Sequence, residues 1–189
     1  MIVPPEFFAT KDAVVFAPWL LGKTLVRTRA NGEISRHIIT ETEAYNGPED
    51  KACHASKGRT ARTEVMFRPG GIWYVYFCYG VHEMLNLVMG PEGFPAAVLI
   101  RGLHDVSGPG RLTKRLGIDR KLNGLLAEPA VGLHVENDGR IVPKKRIQTS
   151  PRVGIDYAGP IWTTKPWRFL VDRTWIDDVA AKERQPLKD

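Results

Sequence analysis

Lys23-Thr24-Leu25-Val26-Arg27-Thr28-Arg29, then Asn31-Gly32, then Ser35-Arg36-His37-Ile38-Ile39-Thr40-Glu41-Thr42-Glu43-Ala44-Tyr45, is the stretch on which the fold turns. Residues 23–29 alternate in polarity as a strand does. Asn-Gly supplies hairpin turn chemistry, and residues 35–45 read as the returning strand. A second hairpin is expected from 72–78 and 82–89, with Tyr79-Gly80 near its tip. A strand at 96–101 is apolar until Arg101, and short strands are predicted at 131–135, 152–156 and 167–171. Helices are expected within 10–21, interrupted near Pro18 and Gly22, and at 110–116 behind Pro109, a residue suited to a first turn. Strands outnumber helices and hairpin-length connections join them. The fold class is α+β, dominated by antiparallel sheet.

The chain has 189 residues, enough for one domain with a sizeable core, and a frayed tail is expected after Lys182. Its 43% hydrophobic and 25% charged residues fit a soluble globular protein. The 27 Lys+Arg exceed the 21 Asp+Glu by 6, which favours a polyanionic partner, nucleic acid first. Arg140, Lys144, Lys145, Arg146 and Arg152 form one basic stretch without carboxylates; Arg111, Lys114, Arg115, Arg120 and Lys121 form a second cluster. Arg111, Lys114, Lys144 and Lys145 are the candidates to touch a phosphate backbone. Cys53 and Cys78 are too few for a disulfide framework, so both are expected reduced in an intracellular compartment. The N-terminus lacks the basic start and apolar core of a signal peptide, and the longest apolar run, 13–21, contains Pro18 and is too short for a bilayer. A cytoplasmic protein with no membrane segment is the expectation.

Glu41 and Glu43 on one strand face the same way, with Cα atoms ~6.7 Å apart. Such a pair is often just a solvated face. Here the strand runs straight into Tyr45 and a Gly47-Pro48 turn, and a carboxylate at a strand end beside an aromatic ring suits general-base work. Partial burial raises its pKa, and a neighbouring arginine keeps it ionised. In the 72–89 hairpin, Trp73 and Phe77 read as core. Tyr74 and Tyr76 lie on the opposite face, where a partly wet tyrosine surface on a basic protein can stack on bases. Cys53-His54 lacks partners at metal-ligand spacing, so no metal is expected. Gly22-Lys23-Thr24 lacks the earlier glycine of a phosphate-binding loop, with Ala17 in its place. Ser107-Gly108-Pro109-Gly110 before a basic helix is a weak phosphate-binding signal.

Taken in order, the motifs resemble the alkyladenine (3-methyladenine or methylpurine) DNA glycosylases. The resemblance runs from Leu20-Leu21-Gly22 through Glu41-Thr42-Glu43-Ala44-Tyr45, Gly47-Pro48-Glu49-Asp50 and His54. It continues through Met66-Phe67, Pro69-Gly70, Tyr74-Val75-Tyr76, Tyr79-Gly80, Asn86 and Val98-Leu99-Ile100-Arg101. Gly108-Pro109, Arg152-Val153-Gly154 and Lys165-Pro166-Trp167-Arg168-Phe169 complete it, so that it covers roughly residues 15–175. The resemblance implies a single compact domain with a curved antiparallel sheet core and flanking helices. It implies Glu43 as the base that activates water, Arg101 holding that water and biasing Glu43 toward the carboxylate, and the Val153 carbonyl as a third water contact. Tyr45 and His54 would sandwich a flipped base with Tyr76, and His54 would also offer a hydrogen bond. Asn86 would clash with the 2-amino group of guanine, and Tyr79 would be the wedge that replaces the extruded nucleotide. The implied partner is double-stranded DNA containing damaged purines, met by a monomer without a cofactor. Flipping costs a few kcal/mol, less at a damaged base. Glu83, near the wedge, departs from this scheme because it would repel phosphate.

Three other readings compete. Glu41 and Glu43 could be the acid/base pair of a glycoside hydrolase, although two carboxylates on one strand do not flank a bond from opposite sides. The basic clusters and tyrosines would also suffice for a non-catalytic nucleic-acid binding module. Gly108-Pro109-Gly110 suggests a helix-hairpin-helix glycosylase, which would be mainly helical.

Overall fold

In this computed structural model, which describes residues 1–78 and 80–183, β2 (Ile34–Asn46) is the long strand on which the sheet is built. One edge of β2 pairs with β5 (Ala96–Leu103). The other edge is divided: β1 (Thr24–Thr28) takes its first half and β9 (Arg168–Val171) takes residues 41–43. Outward from β5 lie β4 (His82–Val88) and β3 (Trp73–Cys78), and outward from β1 lies β7 (Leu133–Glu136). β6 (Val106–Ser107) pairs with β5, and β8 (Ile147–Ser150) pairs with β9. All pairings are antiparallel, so both predicted hairpins are present. The result is an α+β domain with a curled antiparallel sheet, as expected.

The curl has a local cause. In the β2–β5 register Ile39 faces Leu103, Glu41 faces Gly102 and Thr42 faces Ile100, so Thr40 and Arg101 are skipped. Such a bulge bends a strand and re-aims the side chain at the extra residue. Gly102 permits it: a Cβ there would stand 3.0 Å from Glu41 Cβ and 3.3 Å from Glu41 Oε2.

One sheet face carries the main core, with Leu25, Ile39, Trp73, Leu87 and Ile100 packed among Leu20 of α1 (Ala13–Leu20) and Leu112 of α2 (Pro109–Leu116). Truncating a buried leucine such as Leu112 to alanine costs ~2–5 kcal/mol. Asp12 caps α1 by accepting from the Val14 and Val15 amides at 2.8 and 3.0 Å. After Pro18 the helix tightens, Leu21 N–H bonds the Pro18 carbonyl, and the Ala17 carbonyl accepts the Thr42 hydroxyl at 2.9 Å. That bond ties α1 to β2 between the two glutamates. The other sheet face carries a smaller cluster, Cys53, Met66, Tyr74, Val88 and Ala97, beside a cavity.

Several expectations need correction. Residues 152–156 are not a strand. Arg152 turns inward from a loop that runs into a 3₁₀ turn at Asp156–Ala158, and the strand of this region is β8 instead. Phe77 is not core: it is 42% exposed, with the Arg120 guanidinium 5.2 Å from its ring centre. Tyr74 is buried rather than on a wet surface. Helices α3 (Pro160–Thr163) and α4 (Arg173–Glu183) were not anticipated, although Asp172, which accepts from the Thr174 amide at 2.9 Å, is a readable cap. Tyr79 and the tail from 184 lie outside the described residues. No described helix is long and apolar enough to cross a membrane.

Candidate active site

Strand alternation sends Trp73 and Val75 into the main core and Tyr74 and Tyr76 to the opposite face. There they meet His54, on the short 3₁₀ turn His54–Lys57, and line a cavity of about 770 Å³ with Tyr45, Asn86, Leu99, Arg101, Val153 and Tyr157. That volume exceeds what a purine needs.

Glu43 lies behind the cavity floor. It is fully buried, and three residues that contact it, Tyr45, Arg101 and Val153, are themselves cavity lining. The Val153 amide donates to its Oε1 at 2.8 Å, and the Tyr45 hydroxyl donates to its Oε2 at 2.9 Å. Arg101 Nε stands 3.5 Å from Oε1. Burial pushes the Glu43 carboxyl above its ordinary pKa, and Arg101, the Val153 amide, Tyr45 and Arg168 pull against that rise. A carboxylate whose pKa is raised is a stronger base than a free one. Burial first, then the neighbouring Glu43 and Tyr76, pushes the Tyr45 phenol well up, so it donates as a neutral group.

Glu41 has a different role. Its Oε1 accepts from Arg101 Nε at 2.9 Å and from Arg168 Nε at 2.7 Å. The skipped register at Arg101 brings that guanidinium to both glutamates. Burial alone would lower the Arg101 pKa, but Glu43 and Glu41 outweigh it and hold the charge. Two carboxylates on one strand, both engaged by one arginine, do not flank a substrate bond, which removes the basis for the paired glycoside-hydrolase reading. The sheet-dominated fold likewise removes the helix-hairpin-helix reading.

His54 and Tyr76 pack edge to face, with ring centres 4.5 Å apart and planes at 77°. No ring fits between them, so a flat ligand must lie beside the pair and not be sandwiched within it. Burial, then Arg62, brings the His54 pKa down to about 4, so the imidazole is neutral at neutral pH. His54 Nδ1 is 3.1 Å from the Tyr74 hydroxyl, which ties the imidazole to the strand that carries Tyr76. Asn86 donates its amide to the Tyr74 and Met84 carbonyls at 3.1 and 3.4 Å and is part of the cavity lining.

The basic residues divide. Arg111 and Lys114 are exposed on α2, whose first residue, Pro109, lines the cavity. Lys144 and Lys145 are exposed in a 3₁₀ turn ahead of β8 and are not cavity lining. Arg140 and Arg146 pair with Asp138 and Asp172, and Arg152 is buried against Asp50. The basic stretch is therefore less of a polyanion surface than its composition suggests. Sequence reasoning missed Lys51, Lys57 and Arg62 at the cavity wall, where their alternation with His54 and Thr60 was the available signal. Glu83 raises no conflict: it is largely covered and pairs with Arg120 at 3.3 Å. Cys53, pushed up to about 12 by burial, is an unreactive wall residue.

Residues 6–108 and 103–174 match the family model for methylpurine-DNA glycosylase. A protein of Psychrobacter cryohalolentis, provisionally named a 3-methyladenine DNA glycosylase, is 43% identical over 97% of this chain and 96% of its own length. One of Myxococcus xanthus with the same provisional name is 44% identical over 96% of this chain and 94% of its own. The DNA-3-methyladenine glycosylase of Arabidopsis thaliana is 43% identical over 93% of this chain and 74% of its own. The chain belongs to the methylpurine-DNA glycosylase family. It is thereby a DNA glycosylase, a hydrolase of N-glycosyl bonds.

Proposed function

We propose that this protein turns damaged purine nucleotides out of duplex DNA and hydrolyses their N-glycosidic bond with a water activated by Glu43. The substrates are purines of the 3-methyladenine, 7-methylguanine, hypoxanthine and ethenoadenine class. The observation that carries this reading is a fully buried carboxylate of raised pKa under the floor of an aromatic cavity with more than enough room for a purine. Tyr45, Tyr76 and His54 receive the base. Asn86 meets its edge, and a guanine 2-amino group is excluded there by lack of room.

Glu43 takes a proton from water, the water oxygen bonds to the anomeric carbon, and the carbon–nitrogen electron pair leaves with the base. Arg101 and the Val153 carbonyl hold the water, and the remaining proton of the hydroxyl stays on the sugar. An N-alkylated purine departs as a neutral molecule, its positive charge beforehand being drawn to aromatic faces, whereas hypoxanthine or ethenoadenine departs as an anion that takes up a proton from solvent. No lysine adduct forms, so the product is an intact strand with an abasic site. Tyr79 fills the gap in the duplex. Arg111, Lys114, Lys144 and Lys145 contact phosphates, joined by Lys51 and Lys57 at the cavity mouth. The enzyme acts as a monomer.

The test uses duplexes that each carry one hypoxanthine, ethenoadenine or 7-methylguanine, incubated with protein and then treated with alkali. Strand breaks at the lesion only after alkali are the expected result. Breaks without alkali would overturn the water mechanism, and no breaks on any lesion would overturn the reading as a whole.

A further inference from the structure

Among the described residues one ion pair is completely buried: Arg152 and Asp50 have no exposed side-chain surface. Arg152 donates to Asp50 Oδ2 at 2.6 Å, to Asp50 Oδ1 at 2.8 Å and to the Ala44 carbonyl at 2.8 Å, while its Nε has no partner among the described residues. Its guanidinium lies between two rings, 4.8 Å from the centre of Tyr45 and 5.0 Å from that of Trp167. Asp50 also accepts from the Asn46 and Ala52 amides, both at 3.1 Å, and so fixes the loop that leads to His54. A dry ion pair with an unused donor is a poor route to stability, because desolvation cancels much of the attraction. Its position suggests another use. The two hydrogen-bond donors on the oxygens of Glu43 are the amide of the residue after Arg152 and the phenol of the ring stacked on Arg152.

We propose that Arg152, locked by Asp50, is the positioning residue of this active site: it holds the Val153 amide on one oxygen of Glu43 and the Tyr45 hydroxyl on the other. One planar group thereby sets both contacts and presents the opposite face of Tyr45 to the cavity. The proposal rests on the reading of Glu43 as the general base. Arg152→Lys keeps the charge opposite Asp50 but removes the fork and the planar stack. The groups facing Glu43 from its neighbours are Arg101 on β5, Arg168 on β9, and Glu41 and Tyr45 on β2; all remain in this variant.

The experiment is a single-turnover pH profile of base release from a hypoxanthine duplex, paired with the Val153 amide resonance in ¹⁵N-labelled protein. In the wild type that resonance follows the Glu43 titration. In R152K the resonance loses its hydrogen-bonded shift and the acid limb of the rate moves to higher pH. The plateau rate falls tenfold or more, while DNA affinity stays within about twofold. A merely structural role would lower the rate equally at all pH values, in step with the folded fraction. That result, or an unchanged profile and resonance, overturns the proposal. Asp50→Asn, which frees Arg152 by another route, gives the same two shifts in smaller measure if R152K does not fold. If the wild type releases no base, the function reading fails, while the Val153 resonance still decides the positioning claim.

Discussion

The phenol of Tyr45 donates a 2.9 Å hydrogen bond to Oε2 of Glu43, two residues earlier on the same strand. The period of two puts both side chains on one sheet face. The ring that would stack on a flipped base is therefore tied to the carboxylate that would activate water. Tyr45→Phe keeps the ring and removes the donor. Glu43 then holds its proton more tightly, and the active form is the deprotonated one. The acid limb of the pH–rate profile should move up by about one to two units, given ~1.5–3 kcal/mol for a charged hydrogen bond. An unmoved limb would mean that this bond does not tune Glu43.

Glu43→Gln removes the base without changing the shape of the floor. Base release should fall by at least ~10²–10⁴-fold, the range for a lost general base, while DNA binding in a gel-shift titration remains. Excision at the wild-type rate would favour the non-catalytic binding reading.

Glu41→Gln should act on stability first. Glu41 holds Arg101 and Arg168 at 2.9 and 2.7 Å, and the substitution leaves both guanidinium groups short of charge. Breaking a buried pair costs ~3–5 kcal/mol, and partly exposed Arg168 brings the expectation to about 2–3 kcal/mol in urea unfolding. Residual activity at low temperature should remain well above that of E43Q. Loss as complete as in E43Q would restore the idea of a catalytic carboxylate pair.

Acid should destabilise the fold through His54. Its folded pKa, about 4, lies below the ordinary 6.5, so the unfolded chain binds the proton more tightly between those values. The stability is fully present above pH 6.5 and is lost as pH falls toward 4. The loss between pH 7 and pH 5 is of order 1–2 kcal/mol. Glu43, with its pKa raised above 4.5, works in the opposite direction, favouring the fold at low pH and losing that contribution as pH rises. The difference between wild type and His54→Asn isolates the histidine. A difference that does not change with pH would refute its buried neutral state.

Binding to duplex DNA should weaken steeply with salt. Lys51→Ala with Lys57→Ala at the cavity mouth should reduce the slope of log K against log salt by about two, one per phosphate contact. An unchanged slope would place the phosphates elsewhere on the molecule.

The order of hairpins could be read from the chain because alternation and Asn-Gly turn chemistry are local signals. Trp73 and Val75 facing one way, and Tyr74 and Tyr76 the other, follow from the same period. So did the pairing of Glu43 with Tyr45 on one strand, whereas His54, on a 3₁₀ turn 20 residues before Tyr74, meets the tyrosines only in the fold. Residues 152–156 look like a strand in sequence because the β-branched Val153 and Ile155 alternate around Gly154. Only the approach of Asp50, 102 residues away, makes Arg152 a buried loop anchor.

By itself, then, the sequence determined the antiparallel sheet, the faces of its strands and the identity of the groups able to do chemistry, since these depend on neighbours within a few residues. Tertiary structure decided which arginine serves which carboxylate. The skipped register at Thr40 and Arg101, the close packing at Gly102 and the union of Arg152 with Asp50 depend on contacts between distant strands and loops. It also decided that Glu43 is dry, because burial is a property of everything packed around a side chain. That burial lifts the pKa of an ordinary glutamate carboxyl.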